Sequence, residues 1–413
     1  MSRHLQLNRQ PKSKMIEKRG NKMKTQMTAL AAAVTITMSG MAFAQQLPLD
    51  NSVSWGVDNP NTSRDNDAWD NVQPAVPSGS NILNALNLLG PTSDTSQNVS
   101  DIDQTGSGSN ANEASVQQGG GVGNQSDVIQ VKASGSGGPN EAYVDQFGTN
   151  NVSYVSQDLD SGLAEVLQNG TNNQGRVEQG GNQNNSAFID QTGINNRSVI
   201  QHGSSDNVAS SVQAGFSQDS VIRQTGDANN ASATQLGGNG ESAIAQNRGL
   251  NQATYLDLGF NNTSYMRQRR IGPDGNTADV FQGGFDNFSE LGQDGSGNDA
   301  VVTQVGAFSD SDIQQEGNDN SATLLQVSGG SNSYISQFGD DNIANVTQTG
   351  LFGSNESYIL QSNNDHEATV TQARGFGLFG GANISTVTQV GTVGSSASVT
   401  QSGTGNWAST IQY

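Results

Sequence analysis

From residue 97 to residue 413 apolar and polar residues alternate in short runs, and the runs return about every eleven residues. Between Ser220 and Gln235 the order is Ser-x-Ile-x-Gln-x-Gly-x-x-Asn-x-Ala-x-Ala-x-Gln, two half-repeats in tandem. With the Gln as marker, positions −6, −4, −2 and 0 hold Asn, then Ala or Ser, then Val or Ile, then Gln, and Gly is usual at +2. Alternation of period two predicts a strand. Position −2 is Val, Ile, Leu or Met in 23 of 27 half-repeats, so this parity is expected to face inward and the intervening Asp, Arg, Thr and Ser to face water. Gly at +2 fits a turn that needs positive φ or close backbone approach, and Asn at −6 fits the return from it.

The markers are Gln104, Gln118, Gln130, Gln146, Gln157, Gln168, Gln179, Gln191, Gln201, Gln213, Gln224, Gln235, Gln246, Asp257 (the one place where Gln is replaced), Gln268, Gln282, Gln293, Gln304, Gln315, Gln326, Gln337, Gln348, Gln361, Gln372, Gln389, Gln401 and Gln412. Every even half-repeat carries Ala at −4, from Ala114 to Ala397, and most odd ones carry Ser, from Ser100 to Ser385. The true period is therefore about 22 residues, the length of a stacked repeat. An all-β fold follows, a two-sheet β-solenoid of about 13 rungs, each strand-turn-strand, roughly 60 Å long at one rung per ~4.8 Å. Stacking sets Gln on Gln, Ala on Ala and Ser on Ser. A buried primary amide left alone costs about 1 to 3 kcal/mol, but in a column each amide can donate to one neighbour and accept from the other.

Composition alone would class the chain as disordered, with 32% hydrophobic residues and a net charge of −20. The Ala and Ser alternation overturns that, because only a stacked fold needs a small residue at one depth in every layer. Residues 1–44 are different: Lys14, Lys18, Arg19, Lys22 and Lys24 lead into the largely apolar or small stretch Thr28–Met41, closed by Ala42-Phe43-Ala44. This is the pattern of a secretory signal peptide, with cleavage expected after Ala44, and the mature chain is expected to hold no transmembrane segment. Translation can begin at Met1, Met15 or Met23, all ahead of the apolar stretch. Residues 45–96 lack the repeat and hold Pro48, Pro60, Pro74, Pro77 and Pro91, a leader or linker whose one apolar run is Ile82–Leu89. Residues 97–413 form the repeat domain. Its Pro139 and Pro273 fall where marker spacing widens, in long turns.

Candidate chemistry is sparse. The chain has three His, at 4, 202 and 366, no Cys and no metal-ligand spacing. No catalytic residue, cofactor-binding residue or metal site is assigned, no cofactor is expected, and enzyme chemistry has no foothold. The acidic charge makes nucleic acid an improbable partner. Arg267-Gln268-Arg269-Arg270 is the one basic cluster beyond the leader, read as an outward, solubilising group or as a local break that docks an acidic surface. Tyr143, Tyr154, Phe188, Tyr265, Tyr334 and Tyr358 share position −3, and those on one sheet face would form a stripe for lateral contact. Phe376, Leu378 and Phe379 are a second candidate contact patch. The last half-repeat, Asn406, Ala408, Thr410 and Gln412, is expected to be a polymerisation edge, a bare strand on which another molecule continues the ladder.

The unit Ser-x-Ile-x-Gln-x-Gly-x-x-Asn-x-Ala-x-Val-x-Gln, seen in Ser289-Glu-Leu-Gly-Gln293-Asp-Gly295-Ser-Gly-Asn298-Asp-Ala300-Val-Val302-Thr-Gln304 and again from Ser333 to Gln348, resembles the curlin repeat of bacterial curli subunits. The resemblance covers about residues 97 to 413. It implies an amyloid-like, secreted structural subunit on the surface of a Gram-negative cell, supporting adhesion and biofilm matrix. It further implies polymerisation with itself and with other curlin subunits, a nucleator among them, and export through an outer-membrane secretion pore to which residues 45–96 would address the chain. The chain has far more repeats than the roughly five of the familiar subunits, which leaves major subunit, nucleator and accessory curlin open. The alternative from the residues themselves is a monomeric extracellular β-solenoid adhesin that does not polymerise.

Overall fold

The computed structural model describes residues 97–106, 111–132, 138–350, 354–374 and 381–413. The expected signal sequence with its cleavage at Ala44, the leader 45–96 and the patch Phe376, Leu378 and Phe379 lie outside the described residues. Each alternating run is a strand, numbered from β1 (Val99–Thr105) and β2 (Glu113–Gly119) to β26 (Ser396–Ser402) and β27 (Trp407–Gln412), with no helix among the described residues. Odd strands form one sheet of 14 and even strands another of 13, and each strand pairs with the next but one in the chain. Successive strands therefore pass from sheet to sheet, and the result is a β-solenoid of about 13 turns.

All pairings are parallel and, apart from a shift between Asp158 and Asp160, in register, so like meets like: Ala142 on Ala164, Val144 on Val166 and Gln146 on Gln168. The inward parity makes one continuous core, in which Ile189, Ile200, Ile222, Ile244 and Ile313 are fully buried. Size rather than hydrogen bonding governs the middle of the Ser column, although nearer its start Ser153 Oγ donates to Ser126 Oγ at 3.0 Å. The hydroxyls of Ser198, Ser220, Ser242, Ser264 and Ser289 are buried without a hydrogen-bond partner, and a larger residue there would collide across a thin core.

The turns explain the Gly at +2 and a further Asn just ahead of the −6 position. At Gly193, φ is +124°, and a Cβ would stand 1.9 Å from the Gly215 carbonyl oxygen of the next rung; only Gly allows the backbones to nest so closely. Two residues on, Asn150, Asn172, Asn195 and Asn261 take the left-handed conformation that Asn tolerates, with φ between 56° and 58°. Pro139 and Pro273 both lie outside the strands.

Candidate functional site

The Gln column is the feature that repeats through the whole array. In the odd sheet Nε2 of each Gln donates to Oε1 of the Gln one rung toward the C-terminus: Gln104 to Gln130, Gln157 and Gln179, then Gln224 to Gln246, Gln268, Gln293, Gln315, Gln337, Gln361, Gln389 and Gln412, at 2.6 to 2.9 Å. The even sheet repeats this from Gln118 to Gln146, Gln168, Gln191, Gln213 and Gln235, and from Gln282 to Gln304, Gln326, Gln348, Gln372 and Gln401, at 2.8 to 3.0 Å. The second amide hydrogen crosses to the other sheet, as from Gln168 to the Val152 carbonyl at 3.0 Å and Gln191 to that of Gln174 at 2.9 Å. Along the unbroken stretches each buried amide thus donates both of its hydrogens, which offsets the desolvation penalty and ties the sheets together. The aligned amides also give the array a direction.

The odd column breaks at its fifth place, where the sequence reading requires correction. Gln201 is not in the column; His202 is, since it pairs with Gln179 on one side and Gln224 on the other. The register of Ser198 on Ser220 and Ile200 on Ile222 sets this: a slip of one residue would turn Arg197 and Gln201 inward. Gln201 lies on the outer face and donates to Glu178 Oε2 at 2.6 Å. His202 is 3% exposed, both ring nitrogens lack a partner, and so does Oε1 of Gln224. Burial holds the His202 pKa down at about 4.

In the even column Asp257 fills the marker place and is fully buried. Its side chain is one methylene shorter than Gln, so it turns aside to accept from Asn262 Nδ2 at 2.6 Å. Asp257 Oδ2 and the Gln235 amide nitrogen are left without partners. Tyr255, in the −2 place, donates its hydroxyl to Gln282 Oε1 at 2.8 Å, the bond a Gln at 257 would have made. Burial pushes the Asp257 pKa up to about 7, against the lowering effect of Asn262 and the Gly259 backbone.

A second polar column was not anticipated as one. The Asn at −6 is buried, and its side-chain oxygen accepts from the backbone of the next rung: Asn298 N to Asn276 Oδ1, then Asn320 N to Asn298 Oδ1, both 3.1 Å. The Nδ2 of Asn298 donates to the Gly317 carbonyl at 2.9 Å. His366 stands in this column, its backbone N donating to Asn342 Oδ1 and its ring nitrogens held near Ser395 Oγ and the Ser362 carbonyl. The sequence signal was present: an Asn on the inward parity needs a buried partner as much as a Gln does.

On the outside, the reading of Arg267, Arg269 and Arg270 as a solvated group is also corrected. Arg267 is 3% exposed and burial brings its pKa down to about 10. Arg269 forms a two-point ion pair with Asp294 of the adjacent strand, and Arg270 donates to the Pro273 carbonyl at 3.3 Å. The aromatics at −3 divide between the sheets, Tyr143 and Phe188 on the even one and the other four in one column of the odd one, where Tyr334 stacks in register on Tyr358. Arg176 covers the Tyr154 ring at 4.6 Å, and Tyr265 stands edge-on to Phe288. Not all outer positions face water, because Val199, Val221 and Ala243 form a small buried cluster on the odd face.

The predicted edge residues lie in the last rung: Asn406 Nδ2 donates to Asn383 Oδ1 at 2.9 Å, and Ala408, Thr410 and Gln412 lie on β27. Among the described residues of the odd sheet, β27 pairs only with β25 (Asn383–Gln389), and β1 only with β3 (Gln125–Val131). The strand β1 is exposed along its whole length.

The family model described as the curlin associated repeat matches residues 274–306 and 317–350. Those spans lie in the uninterrupted part of both Gln columns. No curated protein sequence matches the chain.

Proposed function

Starting from a chain that carries the curlin associated repeat, we propose that it is a secreted structural subunit of curli-like fibres, built by adding molecules to the open rungs so that the cross-β ladder runs on. The repeat is that of a structural rather than an enzymatic family, and no helix among the described residues is long and apolar enough to cross a membrane. One observation carries the reading: the Gln columns are unidirectional, presenting acceptors at the first described rung and donors at the last, where the described strands of each sheet end. A second copy in the same orientation offers complementary groups at either end, which favours head-to-tail growth. Residues 1–44 would serve as the export signal, 45–96 as the address to a secretion pore, and 97–413 as the part that forms the fibre. Other curlin subunits would act as partners, and surface-attached fibres of this kind would support adhesion and biofilm matrix.

The test is incubation of the chain cleaved after Ala44, followed by thioflavin fluorescence and fibre diffraction. Fibres with a meridional reflection at about 4.7 to 4.8 Å are expected; a persistent monomer without it overturns the proposal. Removing Asn406–Tyr413 should slow elongation, and undiminished growth would exclude that edge as a growth surface.

A further inference from the structure

The two outer faces differ in a way that the repeat does not require. On the odd sheet, between β9 (Arg197–His202) and β21 (Asn332–Phe338), the outward positions include Arg197, Asp219, Arg223, Glu290 and Glu316; of its apolar residues, Val199, Val221 and Ala243 are already buried, and the partly exposed Phe288 and Phe338 stand at strand ends among charges. On the even sheet, between β10 (Val208–Phe216) and β20 (Ser321–Gly329), the outward positions hold no basic residue and only two acids, Asp279 and Asp299.

Two adjoining columns on that even face are apolar. One runs in register through Val212, Thr234, Leu256, Phe281, Thr303 and Leu325. Its neighbour carries Leu236, Leu258 and Val305, and all of these apolar side chains remain partly exposed. Asp299 lies at the start of its strand, and Asp279 stands beside Phe281 on the side away from the second column.

We infer that this even-sheet face is a lateral contact surface whose occupant is the same face of a second copy of the chain. Three physical points select that occupant. The surface is ridged at the rung spacing of about 4.8 Å, and only a partner with the same repeat can interlock with it along its length. The area suffices: six strands of about seven residues cover roughly 29 by 23 Å, so a pair buries about 1,300 Å² in total, within the range of specific interfaces. Charge is partitioned to suit, since a chain of net charge −20 can bring two copies together only where few of its charges lie. The inference concerns side-to-side contact and does not depend on end-to-end growth.

The experiment compares the full chain with two variants, Leu236→Lys/Leu256→Lys/Leu325→Lys and Leu236→Thr/Leu256→Thr/Leu325→Thr. The Thr variant keeps residues that the same column already uses at 234 and 303, so its strands are retained if the Lys variant fails to fold. Thioflavin binding reports fibre growth separately, and mass per unit length reports pairing. Fibres of the unmodified chain should have about twice the mass per length of the Lys variant, and the paired fraction should fall at least fivefold in the Thr variant. Where no fibres form, sedimentation should give a dimer for the unmodified chain and a monomer for the variants. Unchanged mass per length, or unchanged sedimentation, in a folded variant overturns the lateral contact whatever the outcome for growth. A control with Gln201→Lys and Gln314→Lys on the odd face should leave pairing intact, and equal loss there would show a general charge effect and overturn the assignment to this face.

Discussion

The odd and even sheets each admit one foreign residue to the Gln column, and the two act in opposite senses. His202 replaces an amide with a ring that burial keeps neutral down to about pH 4. Asp257 replaces one with a carboxyl that burial keeps protonated up to about pH 7. By contrast, every amide from Gln282 to Gln401 is joined to its neighbours. The comparison teaches that the ladder tolerates an ionisable residue only as its uncharged form, because no counter-charge lies within a column of amides.

The sharpest break in the comparison is to cut the intact stretch. Gln304→Leu strands the donor of Gln282 and the acceptor of Gln326, and at about 1 to 3 kcal/mol for each orphaned group it should cost roughly 2 to 6 kcal/mol, read from the urea midpoint at constant slope. Next in size is Asp257→Asn. A carboxyl with a raised folded pKa contributes stability below its unfolded value of 3.8 and loses it as pH rises through about 7. The variant should therefore match the parent near pH 3 and exceed it by on the order of 4 kcal/mol at pH 8. Equal stability at pH 8 would mean that the carboxyl is solvated.

His202→Gln should show the mirror image. A His with a depressed folded pKa loses stability as pH falls from 6.5 through about 4, so the variant should gain on the order of 3 kcal/mol below pH 4. Above pH 7 only the restored bonds to Gln179 and Gln224 count, about 1 kcal/mol each. The smallest effect is expected from Gln235→Leu. Its Nε2 already lacks a partner, so only the acceptor for Gln213 is lost, and the cost should be about half that of Gln304→Leu in the same urea titration.

Stacked carboxylates on the outside act in the same direction as Asp257. Asp127 lies in register with Asp101, and Glu165 sits between Asp145 and Asp190 on neighbouring strands. Burial first, and then those neighbours, raises the pKa of both Asp127 and Glu165. In-register stacking sets Asp127 on Asp101, a diagonal offset sets Glu165 near Asp145 and Asp190, and mild acid relieves both.

Much of this was legible in the residues. The alternation that puts Val144, Ile222 and Val302 inside, and the Ala and Ser places that separate the sheets, are local patterns with a single stacked solution. The ninth half-repeat misled because Gln201 and His202 are adjacent and the marker rule favours Gln. Counting back from His202 instead places Asn196, Ser198 and Ile200 at −6, −4 and −2, a better fit than Asn195, Arg197 and Val199. The charge division between the outer faces was equally present in the sequence, but appears only when outward positions are sorted by half-repeat parity. Arg267 was misjudged because strand parity says which way a side chain starts, not what covers it.

By itself, then, the sequence determined the period, the inward set and the order in which like residues stack, since a two-residue alternation repeated at fixed length leaves no other way to bury Gln, Ala and Val together. Tertiary structure alone decided the direction of the amide chain, the second donation of each Gln across to the opposite sheet, and the partner that draws Asp257 out of line. The first two depend on where strands distant in sequence meet in space, and the third on how the turn between Asp257 and Asn262 folds back; a one-dimensional pattern carries neither.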